Sequence, residues 1–258
     1  MKRWLIILLI IITIICIAIG YAIYEYYYTP PTEREAYITP HHHDDTLRIA
    51  YIGDSWAAMH KEHECIIPQL IEDRIHHPIK ISSFGIHGKT SKEIYESLFD
   101  NNEMRSFMMQ GFDFCFISAG INDTYKKMSA TYYRTSMDNI IHFMLTSHIH
   151  PIILDIPDYD IVKAYNRQQS LRKLLRKISM VITGSQMDCK QEFRNTLTEL
   201  VAVLKKSNQI SILKYQEWNN NYCHDIKKYY LDDGMHLNKI GYTRLDSCIA
   251  KHIIQQTY

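Results

Sequence analysis

The sequence lacks an excess of charge of either sign. Its 29 lysines and arginines nearly balance 28 aspartates and glutamates, so the formal net charge is +1. Nucleic-acid-binding domains usually present a strongly basic face, and nucleic acid is therefore not an expected partner. Hydrophobic residues make up 46% of the 258-residue chain and charged residues 22%. This composition excludes a disordered or fibrous protein and favours one sizeable globular domain with an appendage.

Closely spaced cysteines are also absent. The five cysteines that follow the first 27 residues are Cys65, Cys115, Cys189, Cys223 and Cys248. An odd number cannot pair completely within one chain. Cys115 lies in an apolar run and is expected to be a small core residue, and the wide spacing of the others supports neither a zinc site nor a disulfide framework. At most two disulfides are possible, and none is predicted.

One long apolar run is present, from Leu5 to Ile23. As a helix, about 19 residues span roughly 30 Å, which is the thickness of the bilayer hydrocarbon. Lys2 and Arg3 precede the run and a cluster of tyrosines follows it, so the positive-inside rule predicts a cytoplasmic N-terminus. We therefore expect residues 1–27 to anchor a single-pass membrane protein whose remaining part is extracytoplasmic.

Two other interpretations of this segment are weaker. A secretory signal could be cleaved after Gly20 or Ala22, but the apolar run is longer than the core of an ordinary signal and has no clean Ala-x-Ala site. Cys16 suggests lipidation, but Ile15 stands where lipoprotein signals need a small residue. Cys16 is therefore expected to be an apolar membrane residue, and the anchor is expected to be retained.

Residues 28–45 combine a Thr-Pro-Pro-Thr sequence, mixed charge and three consecutive histidines, His41 to His43. This composition predicts a polar linker that holds the domain away from the membrane. The histidines could bind a metal, but adjacent histidines in a flexible segment are not a preorganised site. A solvated linker is the preferred interpretation.

From Leu47 onward, short apolar runs alternate with longer helical patterns, as in a parallel sheet covered by helices. Residues 46–258 are therefore predicted to form a three-layer α/β/α domain of flavodoxin-like order with about five parallel strands. The predicted strands are Leu47–Ile52, Ile79–Phe84, Phe112–Ala119, Pro151–Ile156 and Ile210–Tyr215. The predicted helices are Ala57–Ile75, Ser91–Met109, Tyr132–Ser147, one or two between Ile161 and Lys206, and Lys239–Gln255.

Polar turns follow several of these strands. Gly53-Asp54-Ser55 follows the first strand, Gly85 to Thr90 the second and Gly120-Ile121-Asn122-Asp123 the third, while Asp232 to His236 lie beyond the fifth. In parallel α/β sheets, ligands collect beyond the carboxyl ends of the strands. The sequence therefore predicts one site that gathers these turns.

These turns contain the groups that serine-based ester hydrolysis needs, namely a nucleophile, a base, a carboxylate and oxyanion donors. Ser55 can be the nucleophile, His236 the base and Asp233 the carboxylate that orients it. The oxyanion donors can be the backbone N–H groups of Ser55 and Gly88 and the side-chain amide of Asn122. Taken singly, each of these residues could equally be a turn or helix-cap residue.

In order, these motifs resemble those of the SGNH (GDSL-type) hydrolase superfamily over about residues 47–255. Gly53-Asp54-Ser55, Gly88, Gly120-Ile121-Asn122-Asp123 and Asp233-Gly234-Met235-His236 match its four blocks. The resemblance implies a Ser55, Asp233 and His236 triad, oxyanion donors from Ser55, Gly88 and Asn122, and no metal or organic cofactor. Gly85 competes with Gly88, and Asp232 is a rival to Asp233 that lacks the family's spacing to the histidine. Trp56 departs from the small aliphatic residue of many members, a change that could alter the acyl pocket.

The resemblance and the anchor together imply an esterase that removes acyl groups, acetyl first of all, from an envelope or capsular polysaccharide. The alternatives are an O-acyltransferase, a lysophospholipase or thioesterase, and a catalytically silent glycan-binding protein. The segment Asp158–Lys190 could form part of the substrate wall, although a solvated amphipathic helix explains its basic residues equally well. Other histidines, among them His60 and His63, are expected to be surface or packing residues, and His87 a loop residue.

Overall fold

The N-terminal apolar run forms one continuous helix, α1, over Lys2–Tyr28. The structure is a computed structural model, and it describes residues 2–204, 209–219 and 221–257. Nearly all side chains of α1 are exposed, because only the end of the helix touches the rest of the protein. The helix is long and apolar enough to cross a membrane, a property that it shares with secretory signal sequences.

Residues 29–46 contain no helix or strand and lie along the α/β domain. The guanidinium of Arg34 pairs with the carboxylate of Asp100 at 2.6 Å. The ring of Tyr37 packs edge-on against Phe143, with 4.9 Å between ring centroids. The segment that was predicted as a polar linker is therefore held against the domain at several points.

The histidine run within this segment is only partly solvated. His41 and His43 are exposed, but the side chain of His42 is largely buried. Its Nε2 atom lies 2.9 Å from a carboxylate oxygen of Asp113, and Asp113 also accepts a hydrogen bond from the backbone N–H of Arg48 at 2.7 Å. His42 thus helps to fix this segment at the start of the first strand.

Five strands form the described sheet, and all of them are parallel. Their order is β2-β1-β3-β4-β5, which is the flavodoxin-like order that the sequence predicted. Gly53 of the first strand pairs with Gly85 of the second and Ser118 of the third, so these strands end at one edge. The strands are β1 Leu47–Gly53, β2 Ile79–Gly85, β3 Phe114–Ser118, β4 His150–Leu154 and β5 Ser211–Leu213.

Alternation along the strands separates two hydrophobic cores. Successive side chains of a strand point to opposite faces of a sheet, and in β1 Ile49 and Tyr51 enter one core while Ala50 and Ile52 enter the other. Helices cover both faces, since each face needs an apolar partner. The three-layer α/β/α architecture is thereby confirmed.

The helices differ from the prediction mainly because two of them are broken. The predicted helix Ala57–Ile75 is two helices, α2 Ser55–His60 and α3 Ile67–Ile75. Ser91–Met109 is likewise α4 Ser91–Asp100 and α5 Asn102–Met108, because the side chain of Asn101 caps a new helix. The remaining helices are α6 Ile121–Lys126, α7 Ala130–Thr146, α8 Ile161–Asn166, α9 Ser170–Thr183, α10 Lys190–Leu204, α11 Tyr215–Trp218, α12 Tyr222–Tyr229 and α13 Lys239–Thr257.

Three helices, rather than one or two, occupy the stretch from Ile161 to Leu204. The predicted end of that stretch at Lys206 lies outside the described residues. All six cysteines have free thiols, and Cys115 is a buried core residue as predicted.

Candidate active site

Ser55 is the first residue of α2, directly beyond the carboxyl end of β1. The side chain of Asp54 caps this helix by accepting a hydrogen bond from the backbone N–H of Trp56 at 3.0 Å, as an N-terminal cap does. Ser55 is only 7% exposed. The strand, the cap and the helix therefore hold its hydroxyl group in one place at the rim of the sheet.

His236 lies in the loop between α12 and α13, and Asp233 shapes that loop. One carboxylate oxygen of Asp233 accepts hydrogen bonds from the backbone N–H groups of Met235 at 2.9 Å and His236 at 3.0 Å. This pattern is a side-chain turn that aspartate favours. The three-residue spacing in the sequence thus produces a loop in which the ring of His236 faces the carboxylate of Asp233.

Ser55, His236 and Asp233 form a continuous line of hydrogen bonds. The Nε2 atom of His236 lies 2.9 Å from the hydroxyl oxygen of Ser55, and its Nδ1 atom lies 2.5 Å from the other carboxylate oxygen of Asp233. If Nδ1–H donates to Asp233, Nε2 is left to accept the proton of the Ser55 hydroxyl group. The geometry therefore suits proton transfer from Ser55 to His236.

Hydrogen bonding keeps the carboxyl group of Asp233 ionised. Partial burial alone would raise its pKa, but the side chain of His236 and the two backbone N–H groups lower the pKa below its usual value. Asp232 is exposed, and its backbone carbonyl accepts a hydrogen bond from Arg167 at 2.8 Å. Of the two rival aspartates, Asp233 is the one in contact with the histidine ring.

Asn122 brings the loops after the second and third strands together. Its side-chain nitrogen donates to the backbone carbonyl of Lys89 at 3.0 Å and lies 3.5 Å from a carboxylate oxygen of Asp54. Lys89 directly follows Gly88, and Asp54 directly precedes Ser55. The three predicted oxyanion donors therefore lie on loops that meet through the amide of Asn122. Within the described residues, the backbone N–H groups of Ser55 and Gly88 have no hydrogen-bond partner.

Gly85 and Gly88 differ in what their missing side chains allow. A Cβ atom on Gly85 would lie 2.0 Å from the backbone nitrogen of Ala58, so this glycine permits β2 to approach α2 closely. Gly88 has a φ angle of +73°, and a Cβ atom there would meet open space. Packing thus explains Gly85, whereas Gly88 serves an exposed loop whose conformation favours glycine.

The carboxyl group of Asp54, the residue before Ser55, is buried. Burial raises its pKa to about 7, against the lowering effect of the hydrogen bond from Trp56. Asp123, the neighbour of Asn122, is also buried and accepts two hydrogen bonds from Ser91, at 2.6 and 2.9 Å. Burial raises the pKa of Asp123 to about 6.

The sequence suggested Asp54 only as a helix-cap residue and assigned no role to Asp123, although both stand inside the matched motifs. The available signal was their position, since Asp54 directly follows β1 and precedes α2, and Asp123 lies in the first turn of α6. Asp54 caps the helix of Ser55, and Asp123 ties α6 to the first residue of α4. Both residues support the loops that carry the site.

Trp56 does not line an acyl pocket. The residue is 0% exposed, and its ring packs edge-on against Trp218 with 5.5 Å between centroids. α2 turns this side chain into the core while Ser55 faces the rim, so any effect of Trp56 on the acyl pocket would have to be indirect, and that expectation stays a prediction. His87 is exposed in its loop, as expected.

The segment Asp158–Lys190 begins beside the site. The backbone N–H of Asp160 donates to the carbonyl of Gly234 at 3.1 Å, and Arg167 reaches the carbonyl of Asp232. These bonds join both ends of α8 to the loop that carries Asp233. The later part of the segment, α9, turns outward and presents an exposed face.

Comparison with known proteins identifies the fold. No protein-family model and no curated protein matches the sequence, but solved structures match its backbone. A lipase/acylhydrolase from Enterococcus faecalis is 17% identical with a TM-score of 0.53, over 81% of this chain and 96% of that one. An acetylxylan esterase from Geobacillus stearothermophilus is 13% identical with a TM-score of 0.53, over 80% and 94% of the two chains.

A second acetyl xylan esterase is 15% identical with a TM-score of 0.56, and its whole length is covered by 80% of this chain. The chain therefore has the α/β fold of these lipase, acylhydrolase and esterase structures. The fold implied by the resemblance to the SGNH hydrolases is confirmed.

Proposed function

We propose that this chain is a serine esterase of the SGNH hydrolase superfamily. The observation that carries the proposal is the line of hydrogen bonds from Asp233 through His236 to Ser55. Ser55 begins α2, whereas Asp233 and His236 share a loop that lies 178 or more positions later in the sequence. Fold likeness to lipase/acylhydrolase and acetyl xylan esterase structures supports the same reaction class.

In the proposed reaction, the hydroxyl oxygen of Ser55 attacks the ester carbonyl carbon while Nε2 of His236 accepts the hydroxyl proton. The alcohol leaves with that proton, and an acyl group remains on Ser55. Water then attacks the acyl group, again giving a proton to His236, and the acid is released. Asp233 holds the ring and stabilises the imidazolium that forms in each half of the reaction.

The negative oxygen that develops in each step would be bound by the N–H groups of Ser55 and Gly88 and by the amide of Asn122. Both N–H groups are free of partners within the described residues. The amide of Asn122 has a firm bond to Lys89 and a longer contact of 3.5 Å to Asp54. The bond to Lys89 keeps the side chain in position, and the second hydrogen of the amide, which makes only the long contact to Asp54, is the one that would donate to the oxyanion.

Replacement of the nucleophile tests the reaction. We expect Ser55→Ala to abolish turnover of p-nitrophenyl acetate and labelling by a fluorophosphonate probe, since the hydroxyl group that carries the acyl intermediate is removed. Ser106→Ala, at an exposed serine, should leave both unchanged. Retained turnover in purified Ser55→Ala protein would rule out this mechanism.

The proposed substrate class is an acetylated envelope or capsular polysaccharide. The side chains of His236 and Asp233 are 23% and 34% exposed, so the site is open enough for a bulky polymer. The likeness to acetyl xylan esterases supports an acetyl ester on a sugar. Acetate release from O-acetylated glycans tests this choice, and transfer of acetyl to an added glycan acceptor would instead indicate an acyltransferase.

A lipid ester is a second candidate substrate, because the amphipathic helix α9 presents apolar side chains to solvent. Its polar side faces the domain, where Arg176 donates to the backbone carbonyl of Lys126 at 3.0 Å. Tyr28, at the end of α1, donates a hydrogen bond to the carbonyl of Ile182. The exposed residues of α9 include the basic Arg172 and Lys177 and five apolar residues, Leu171, Leu174, Leu175, Ile178 and Val181, each at least 40% exposed.

Exposed apolar side chains beside a helix that can cross a membrane suit contact with a lipid surface. A series of p-nitrophenyl esters of increasing acyl length, measured with and without phosphatidylcholine vesicles, separates the two candidates. A lipid esterase should prefer long chains and lose vesicle activation in Leu175→Ser but not in Val203→Ser, an exposed apolar position on α10. A deacetylase should act only on short chains.

A further inference from the structure

Four side chains with metal-binding atoms meet at the far end of the helix that begins with Ser55. They are His60 and His63, Cys65, and Asp246 of α13. His60 and Asp246 are buried, and the side chain of His63 is 4% exposed. The spacing of the first three residues did not predict this cluster, because the fourth residue is contributed by the last helix of the chain.

The donor atoms of the cluster are close together. Nε2 of His60 lies 2.8 Å from one carboxylate oxygen of Asp246, and Nε2 of His63 lies 3.7 Å from the other. One ligand atom from each of His60, Cys65 and Asp246 lies within 4.8 Å of the other two. Asp246 is thus a buried carboxylate between two imidazoles and a thiol, with no lysine or arginine paired to it among the described residues.

His63 supplies an independent observation. Its Nε2 atom is buried and has no hydrogen-bond partner within the described part of the chain, which is uncommon for a buried polar atom. The ring itself is held in place, because it stacks on Tyr242 with 5.5 Å between centroids and an interplanar angle of 28°. An imidazole nitrogen is therefore fixed toward the carboxylate without a partner of its own.

We propose that His60, His63, Cys65 and Asp246 bind a zinc ion. Two imidazole nitrogens, one thiolate and one carboxylate oxygen are ligands that zinc takes in tetrahedral sites. A ligating histidine usually holds its second nitrogen in a hydrogen bond that fixes the ring. Nδ1 of His60 lies 2.8 Å from the hydroxyl oxygen of Ser83, which provides this support.

Binding of the zinc ion displaces protons from its ligand atoms. The Cys65 thiol loses its proton to solvent and binds as a thiolate. The neutral ring of His60 changes tautomer, so that Nε2 gives up its proton and both Nε2 and Asp246 can bind the ion. Nδ1 of His60 then carries the ring proton and donates it to Ser83, and the proton released to solvent is that of Cys65.

The proposed zinc ion would have a structural role. Four protein ligands fill a tetrahedral shell, so the ion would have no open position for substrate. It would join the end of α2, the turn before α3 and the middle of α13. Tyr242, which stacks on His63, also donates a hydrogen bond from its hydroxyl group to the carbonyl of Trp56 at 3.0 Å. The ion would therefore fix the helix that carries Ser55 against the helix that follows His236.

Metal binding can be measured on the full chain in detergent. After treatment with a chelator and gel filtration, we expect titration with zinc to reach about one equivalent and to raise the melting temperature. Cobalt should give the visible bands of a tetrahedral site together with a thiolate charge-transfer band. Ser55→Ala should bind zinc like the unmodified protein, so the outcome does not depend on the proposed esterase activity.

Two variants and a control make the test specific. His63→Gln removes a nitrogen that has no hydrogen bond, so the metal-free protein should remain folded while its affinity for zinc falls by about 10²-fold or more. Cys65→Ser should also abolish the cobalt charge-transfer band, whereas Cys223→Ser, at an exposed cysteine, should change neither property. Substoichiometric zinc in the unmodified protein, or equal affinity in His63→Gln, would overturn the proposal.

Discussion

Asn122 joins the loops that follow the second strand and the first strand at the site. Its amide contacts Lys89 and Asp54, and in the proposed reaction it donates to the developing oxyanion. We expect Asn122→Ala to lower kcat on p-nitrophenyl acetate by about 10²- to 10³-fold, as loss of one oxyanion donor does. Asn195→Ala, at an exposed position, is the control. An unchanged kcat would remove Asn122 from the mechanism.

Asp54 predicts a dependence of stability on pH. Its pKa is raised from 3.8 to about 7 by burial, so between these values the folded protein keeps a proton that the unfolded chain releases. The free energy of unfolding should therefore fall as the pH rises through this window. At about 1.4 kcal/mol per pKa unit, the fall is of order 4 kcal/mol.

Asp54→Asn should remove most of this dependence, because asparagine can cap α2 without carrying a charge. Urea unfolding between about pH 4 and about pH 8 measures the effect. Asp123, whose pKa is raised to about 6, should account for part of the slope that remains. Asp45→Asn, at an exposed carboxylate, should behave like the unmodified protein, and an undiminished slope in Asp54→Asn would contradict the assignment.

Single residues were predictable where a short motif determines its own local geometry. Asp233 and His236 are three positions apart, and the side-chain turn that joins them is formed within those residues. Trp56 and the cluster around His60 were not predictable, because their surroundings depend on contacts with α11 and α13. Such contacts join positions about 160 to 190 apart in the sequence, and no local pattern specifies them.

At the scale of elements, the close approach of β2 to α2 depends on Gly85. An added Cβ atom would overlap the backbone of Ala58, so Gly85→Ala should displace α2 and with it Ser55. We expect a loss of several kcal/mol in the free energy of unfolding together with a large fall in kcat. Gly88→Ala should destabilise by only about 1 kcal/mol, since it meets strain but no clash. Equal urea midpoints for the two variants would refute this difference.

Strands were more predictable than helix ends. The first strand begins at Leu47 and the second at Ile79, as the apolar runs indicated. The breaks after His60 and at Asn101 escaped prediction for different reasons. Asn101 caps the next helix from within its own sequence, a signal that was present, whereas the turn after His60 is held by Asp246, whose carboxylate accepts the N–H of Ile66 at 3.1 Å.

At the scale of the whole molecule, the proposed anchor makes a prediction about topology. Cys223 is exposed on α12, and four of the other cysteines are buried or partly buried within the domain. A membrane-impermeant maleimide should therefore label the chain in intact cells, and Cys223→Ser should lose most of this label. Labelling that appears only after the cells are lysed would place the domain in the cytoplasm and contradict the predicted orientation.

The arrangement of layers was predictable as a whole, since alternating apolar runs and helical patterns specify a covered parallel sheet. The placement of residues 29–46 was not. Their mixed composition is that of a free spacer, yet contacts such as the packing of Tyr37 and the pairing of Arg34 with Asp100 hold them on the surface. These contacts depend on partners in α4 and α7 that the segment itself does not encode.

That placement has a consequence for how the proposed esterase would meet its substrate. A spacer held along the domain cannot extend, so a chain anchored through α1 would search only a thin shell above its membrane. Its rate would then follow the surface density of esters within that shell rather than their bulk concentration, because tethering sets an effective concentration by reach. Such an esterase would hydrolyse esters on the surface of its own cell and would leave dissolved esters largely unhydrolysed.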